Sequence, residues 1–365
     1  MPVKVLSIVG TRPEAIKMAP VIKALENDQR FSSIILATAQ HREMLDQVFN
    51  FFEIEPEYDL NLMKHGQTLP DLTARVLQGV TEILEKVKPD IVLVHGDTTT
   101  TFAAALAAFY LDIPVGHIEA GMRTGDMRKP FPEELNRSLV ARLTTWHFAP
   151  SEECVNHLLA EGISTDSIVR TTHNTGVDAL LLAKKMLGDI EPREDGDNRI
   201  LVTAHRRESW GEPMREIFLA IADIATQRPE LGIELATHAN PIVASDAKDI
   251  LGKVSNVTLL GHQDYASFVR KMASAKLILS DSGGVQEEGP TLGTPVVVLR
   301  DKTEYHELLG AGVVILGGTS RAGIVDAVIR VLENDEIQGM VQKFAKHRES
   351  LNSIDEILDV LANEG

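Results

Sequence analysis

The sequence predicts an α/β protein built from two Rossmann-like, doubly wound domains facing a cleft. Short apolar runs alternate with amphipathic helical stretches from Val3 to Leu316, the pattern of parallel βαβ units. That alternation breaks once, at Asp189 to Asn198, where Pro, Gly and charge gather as in a linker. A length of 365 residues with 44% apolar content suits two cores of ordinary size.

The first strand, Val3 to Val9, ends at Gly10-Thr11-Arg12-Pro13, and Pro13 suits the first turn of a helix over Glu14 to Asn27. Ile34 to Ala37 reads as a strand, and Glu43 to Phe52 and Leu72 to Val87 as helices. Ile91 to Val94 is a buried strand ending at His95-Gly96-Asp97, followed by a small-residue helix, Thr98 to Tyr110. Ile113 to Ile118 is the next strand and ends at Glu119-Ala120-Gly121. Met122 to Pro132 is a charged loop, Glu133 to Leu143 a helix, Thr144 to Phe148 a strand and Glu152 to Ala160 a helix. Asn174 to Gly188 is a helix at which the chain crosses to its second half. There the strands are Ile200 to Thr203, Ile233 to Thr237, Val257 to Leu260, Leu277 to Ser280, Pro295 to Leu299 and Val313 to Leu316. The last turn of interest follows Ser280: Ser282 suits an N-cap, Gly283-Gly284 lets a ligand approach the backbone, and Val285 to Leu292 is helical.

A net charge of −17 argues against nucleic acid or an anionic membrane as partner. The one cysteine, Cys154, rules out an internal disulfide and reads as a small helical apolar residue. No apolar run reaches membrane-spanning length and no signal-peptide pattern precedes Val3, so a soluble cytoplasmic protein is expected.

Open parallel sheets bind ligands at the C-terminal ends of their strands. Those ends carry Arg12, Asp97, Glu119 and, after the long loop, Glu133 and Glu134 with Arg137 one turn on. In the second half they carry His205-Arg206-Arg207-Glu208, His238, Ser282-Gly283-Gly284 and Arg300-Asp301. A glycine turn feeding a helix N-terminus presents free N–H groups to phosphate. A diphosphate ester would therefore sit against Ser282, Gly283 and Gly284, with Arg12 and His205 as charge partners. Glu288 is placed to accept from ribose hydroxyls and Phe268 to cover a uracil ring. Closely set carboxylates raise one another's pKa and give one acid and one base.

Plainer readings stand beside these. Asp97, before four threonines, also suits a helix cap, and Glu133-Glu134 suit first-turn charges stabilised by the helix dipole. His205 between basic neighbours also suits a surface turn, and Phe268 also suits a core. Glu119, between Ile118 and Ala120, is costly if buried unpaired, which favours a site. His41, His95 and His117 have no metal-ligand spacing, so no metal is expected.

Six motifs occur in register: Gly10-Thr11-Arg12-Pro13-Glu14-Ala15-Ile16-Lys17, Gly96-Asp97-Thr98-Thr99-Thr100, His117-Ile118-Glu119-Ala120-Gly121, Pro130-Phe131-Pro132-Glu133-Glu134-Leu135-Asn136-Arg137, Ala204-His205-Arg206-Arg207-Glu208 and Asp281 to Glu288. Together they closely resemble the non-hydrolysing bacterial UDP-N-acetylglucosamine 2-epimerases from residue 1 to about 300. The resemblance implies a glycosyltransferase-B-like fold. Its N-terminal domain is 1–178, rejoined by a C-terminal helix at about 345–365, and its UDP-binding domain is 179–344. It implies interconversion of UDP-GlcNAc and UDP-ManNAc through elimination to 2-acetamidoglucal, with no cofactor and no metal. Asp97, Glu119 and Glu133 are then the acid/base carboxylates, and His205 assists UDP departure. Arg12, Lys17, Arg137, Phe268, Ser282, Gly283, Gly284 and Glu288 hold UDP and sugar. Gln40, His41, Gln47, Arg75, Arg207 and His238 resemble a second site for UDP-GlcNAc as allosteric activator, and a homodimer is expected.

Three segments depart from the family pattern. Tyr305-His306 replaces Arg-Pro, Lys346 to Ser350 replaces an Asn-Pro-Tyr-Gly-Asp-Gly segment, and His173 and Gly176 replace Gly and Val. They leave open a related UDP-hexosamine substrate, a hydrolysing epimerase, a retaining glycosyltransferase or a UDP-sugar-binding protein of the same fold.

Overall fold

The computed structural model describes residues 1–38, 42–62, 66–188, 198–204, 210–236, 241–261, 263–303 and 305–364. The chain divides into two compact units, Met1–Leu182 with Asn352–Gly365, and Ala183–Leu351.

The first unit contains β1 (Val3–Val9), α1 (Arg12–Asn27), β2 (Phe31–Ala37), α2 (Arg42–Phe52), β3 (Tyr58–Asp59), α3 (Leu69–Val87) and β4 (Ile91–His95). It continues with α4 (Thr99–Tyr110), β5 (Val115–Ile118), α5 (Glu133–Leu143), β6 (Trp146–Ala149), α6 (Glu152–Ala160) and β7 (Ile168–Arg170). The helix α7 (Thr175–Leu187) then leads out of it, and α15 (Ser353–Glu364) rejoins it. The sheet runs β3-β2-β1-β4-β5-β6-β7 with every pairing parallel. Both faces are covered, which is why β4 reads as a continuous apolar run. On α4, Ala103, Ala104, Ala105, Ala107 and Ala108 are all buried, and their small side chains let the helix pack into the core with Val92, Val94 and Val76.

The second unit contains β8 (Arg199–Thr203), α8 (Glu212–Gln227), β9 (Gly232–Ala236), α9 (Pro241–Leu251), β10 (Val257–Leu260), α10 (Tyr265–Ser274) and β11 (Leu277–Ser280). After it come α11 (Gly283–Thr291), β12 (Val296–Val298), α12 (His306–Gly310), β13 (Val314–Leu316), α13 (Arg321–Leu332) and α14 (Asp335–Glu349). Its sheet, β10-β9-β8-β11-β12-β13, is also parallel throughout.

In each sheet the winding reverses once, between β1 and β4 and between β8 and β11. Loops at such a reversal splay apart and leave a crevice for ligand. The loops in question carry Arg12 and Asp97 in the first unit and Ser282 in the second.

Two edge strands escape the sequence pattern, because β3 has only 2 residues and β7 only 3. The stretch at about 345–365 is not one helix. Lys346 to Glu349 close α14 in the second unit, and the chain re-enters the first at Asn352, whose side chain accepts from Ile354 N at 3.0 Å. Among the described residues no helix is long and apolar enough to cross a membrane.

Candidate active site

The first unit gathers its polar groups at the ends of β1, β4 and β5. Glu14, in the first turn of α1, is 2% exposed. Its Oε2 accepts from Gly10 N at 3.0 Å and Thr11 N at 2.7 Å, half of a capping box. Its Oε1 accepts from the Thr98 hydroxyl at 2.6 Å, which ties the β1 loop to the start of α4. Burial pushes this carboxyl up, and the four donors around it only partly offset that.

After β4 the chain turns at Gly96, φ +68°, a conformation that glycine adopts freely. His117 Nε2 donates to the Gly96 carbonyl at 2.7 Å and steadies the turn. Thr98, not Asp97, caps α4, its hydroxyl accepting from Thr101 N at 3.2 Å. Asp97 is thereby free to face α5. Asn136 donates to its carbonyl at 2.8 Å, and Arg137 Nε and Nη2 lie 2.9 and 2.6 Å from Oδ2. Burial raises the Asp97 carboxyl above its ordinary value despite Arg137, and the charges of Glu119 and Glu133 add to the rise.

Glu133 and Glu134 part company. Glu134 is buried and accepts from Thr124 N (2.8 Å), Gly125 N (2.9 Å) and Arg137 Nη1 (3.0 Å), so it braces the 122–132 loop. Glu133 is half-buried at the start of α5, near enough for its charge to reach Asp97.

Glu119 follows β5 with φ +64°, a left-handed conformation unusual for a residue with a side chain. Such strain persists where surrounding structure over-determines it, and it concentrates at functional sites. Here the surroundings are Lys17 Nζ, at 2.6 Å from Oε1 and 2.8 Å from Oε2, and Asn174 Nδ2, which donates to Oε1. Burial alone would raise this carboxyl, but Lys17 and its other partners overcome that and hold it at about 2. His95 Nε2 is 3.2 Å from Glu119 Oε2 without hydrogen-bond geometry. Burial keeps that ring neutral, with a pKa of about 4, so the contact is not an ion pair.

Arg12 is half-buried in the first turn of α1. In the second unit Ser282 stands at the N-cap of α11, but its hydroxyl makes no cap bond; its N–H donates to Ser280 Oγ at 3.0 Å. The helix begins at Gly283, two residues earlier than predicted, so both glycines form its first turn. A Cβ on Gly284 would lie 3.6 Å from Glu288 Oε1, which puts that carboxylate over the turn. Gln286, fully buried, donates to the Ser282 carbonyl at 3.3 Å and accepts from the Thr303 hydroxyl, which in turn accepts from Tyr305 N at 3.1 Å. The substituted segment at Tyr305 is thus linked to the glycine turn. Phe268 is half-buried on α10. His205, Arg207, His238, Gln40 and His41 lie outside the described residues. Gln47 is exposed on α2, and Arg75 on α3 donates to the Leu62 carbonyl at 2.9 Å and to Gln67.

Sequence reasoning missed Glu14, His95 and Asn174 as neighbours of these groups. Thr11 followed three residues later by Glu14 was a legible capping-box signal. Asn174 had none, since its partner is 55 positions away.

The family model for UDP-N-acetylglucosamine 2-epimerase matches residues 23–361. The chain belongs to the UDP-N-acetylglucosamine 2-epimerase family. It is 50% identical to the UDP-N-acetylglucosamine 2-epimerase of Escherichia coli K12 over 349 residues, 92% of this chain and 93% of that one. The solved UDP-GlcNAc 2-epimerase of Neisseria meningitidis, bound to UDP-GlcNAc, superposes with a TM-score of 0.82 at 45% identity, covering 99% of this chain and 100% of that one. A glycotransferase of kitacinnamycin, only 12% identical, shares the fold with a TM-score of 0.67 over 100% of this chain and 99% of that one. The family and the glycosyltransferase-like fold predicted from the six motifs both hold.

Proposed function

We propose that the chain interconverts UDP-GlcNAc and UDP-ManNAc without hydrolysis. The proton on carbon 2 of the sugar is removed, the carbon 1–oxygen bond to UDP breaks, and 2-acetamidoglucal forms with a carbon 1–carbon 2 double bond. A proton then returns to carbon 2 on the opposite face and UDP re-adds at carbon 1. The observation that carries this reading is a pair of unlike carboxylates at the ends of adjacent strands. Burial raises the Asp97 carboxyl, and Lys17 with its other partners holds Glu119 low and ionised. Pairs whose environments push their pKa values apart divide acid and base work.

On this reading Asp97, Glu119 and Glu133 share the acid and base work at carbon 2, with Lys17 keeping Glu119 ionised as an acceptor. Arg137 sets Asp97, His205 assists UDP departure, and Arg12, Ser282, Gly283, Gly284 and Glu288 hold UDP, with Phe268 against the uracil. Preorganised cations on the leaving diphosphate lower the barrier to its departure. A second UDP-GlcNAc, held by Gln40, His41, Gln47, Arg75, Arg207 and His238, acts as activator. The working form is a cytoplasmic homodimer.

Incubation with UDP-GlcNAc in deuterated water, followed by NMR, tests the reaction. UDP-ManNAc carrying deuterium at carbon 2 is the expected product. Free ManNAc with UDP would show hydrolysis instead, and no exchange with any UDP-hexosamine would remove the reading.

A further inference from the structure

Glu119 is held from one side by Lys17 on α1 and from the other by Asn174, just before α7. The amide of Asn174 is itself oriented: Gly176 N donates to its Oδ1 at 2.7 Å, which turns Nδ2 toward Glu119 Oε1. Gly176 allows the close approach, since a Cβ there would lie 3.0 Å from Asn174 Oδ1 and 3.6 Å from Lys17 Cε.

The C-terminal helix grips the same short segment on both flanks of Asn174. Glu356 of α15 accepts from Thr172 N at 2.7 Å and from the Thr172 hydroxyl at 2.5 Å. Ser353 Oγ donates to Asp178 Oδ2 at 2.7 Å, and His173 Nε2 donates to Asp178 Oδ1 at 3.0 Å. Ser353, His173 and Asp178 are all buried, so these bonds are shielded from water.

We propose that Asn174 is a positioning residue that fixes the Glu119 carboxylate opposite Lys17, and that α15 holds Asn174 in place through Glu356 and Ser353. Glu119 needs such support because its left-handed backbone would otherwise relax and swing the carboxylate away. Among the described residues, the charged and titratable groups around it include Lys17 from α1, His95 from the end of β4, Asp97 from the loop that follows and Cys154 from α6. The kinetic part of the proposal rests on the epimerase reading; the spectroscopic part does not.

The test is Asn174→Asp, nearly isosteric, which replaces the amide donor by a carboxylate facing Glu119. Two carboxylates in contact cannot both stay ionised. In protein labelled at the aspartate and glutamate carboxyl carbons, with Glu119 assigned by Glu119→Gln and the new carboxyl by its absence from the wild type, the wild-type Glu119 signal should stay flat from pH 8 to 5. In Asn174→Asp one carboxyl of the pair should titrate within that window. Flat signals from both carboxyls in the variant would overturn the proposal whatever the substrate proves to be. For turnover of UDP-GlcNAc, Asn174→Asp should lose about 100-fold in kcat at pH 8 with KM within about threefold, and recover as the pH falls. An equal loss at every pH would reduce Asn174 to a structural residue. Asn174→Ser, which adds no charge, should lower kcat with KM kept, and covers the case in which the Asp variant does not fold. The pair Ser353→Ala with Glu356→Gln should lower kcat by about threefold to tenfold with KM unchanged; unchanged kcat would remove α15 from the arrangement. A wild type that shows the spectroscopic behaviour but no deuterium exchange would defeat the epimerase reading and leave the role of Asn174 standing.

Discussion

Lys17 Nζ lies 2.6 Å from one oxygen of Glu119 and 2.8 Å from the other, although 102 positions separate the two residues. Glu119 is 10% exposed and Lys17 30%, so the carboxylate is largely out of water. Removing Lys17 leaves a buried anion without its counter-charge, which costs on the order of 3 kcal/mol. Lys17→Met should therefore shift the denaturant midpoint down by a clearly measurable amount. The pH dependence follows from the same pair. The folded-state pKa of Glu119 is about 2 against an ordinary value of 4.5, so its contribution is complete above pH 4.5 and is lost as pH falls toward 2. Acid unfolding curves should show this loss in the wild type and a smaller one in Lys17→Met.

His95 and His117 act in a neighbouring window. Burial holds their rings neutral, with pKa values of about 4 and about 3 against the ordinary 6.5. The unfolded chain therefore binds protons on these rings as pH falls below 6.5, while the folded one does not. Stability is complete above that value and declines as pH drops toward 4, by up to about 2.7 kcal/mol per pH unit if both rings contribute fully. Denaturant unfolding at pH 7 and pH 5 measures the slope. His117→Asn should make it shallower, because Asn does not titrate.

The fold was readable because buried parallel strands are largely apolar, and β4, β11 and β12 stand close to where the pattern put them. The edge strands β3 and β7 were not, since a strand of 2 or 3 residues leaves no periodicity. At the site, Asp97 and Glu119 announced themselves as polar groups ending apolar strands. Glu133 and Glu134 looked equivalent, because only tertiary contacts tell them apart: Glu134 turns to Thr124, Gly125 and Arg137. Asn174 and His95 were invisible for the same reason. Their meaning lies in which loop the topology brings beside them.

Asp97→Asn isolates a carboxylate proposed to carry the proton at carbon 2. The amide keeps the shape and still accepts from Arg137, while Arg137 retains Glu134 at 3.0 Å, so the unfolding midpoint should move little. Proton transfer is removed, and such groups contribute about 100- to 10,000-fold to rate. Deuterium incorporation at carbon 2 of UDP-GlcNAc should fall by at least the lower figure. Near-normal exchange would take Asp97 out of the chemistry.

Glu133→Gln and Glu134→Gln should fail in opposite ways. Glu134 is 2% exposed and serves two backbone N–H groups and a guanidinium. An amide has one acceptor oxygen, so Glu134→Gln turns an NH2 toward a donor and leaves buried groups unsatisfied, at about 1–3 kcal/mol. Its main effect is a lower unfolding midpoint, together with loosening of the loop at Thr124. Glu133 is half-buried and its carboxylate is free of that scaffold duty. Glu133→Gln should leave the midpoint within about 0.5 kcal/mol of the wild type. Its loss appears in kcat, because a proposed proton carrier is gone and with it a charge that adds to the burial-driven rise of the Asp97 carboxyl. Measuring both midpoint and deuterium exchange on the two variants separates the roles. Equal loss of exchange in both, with stability unchanged, would return the two glutamates to the equivalence that their sequence suggests.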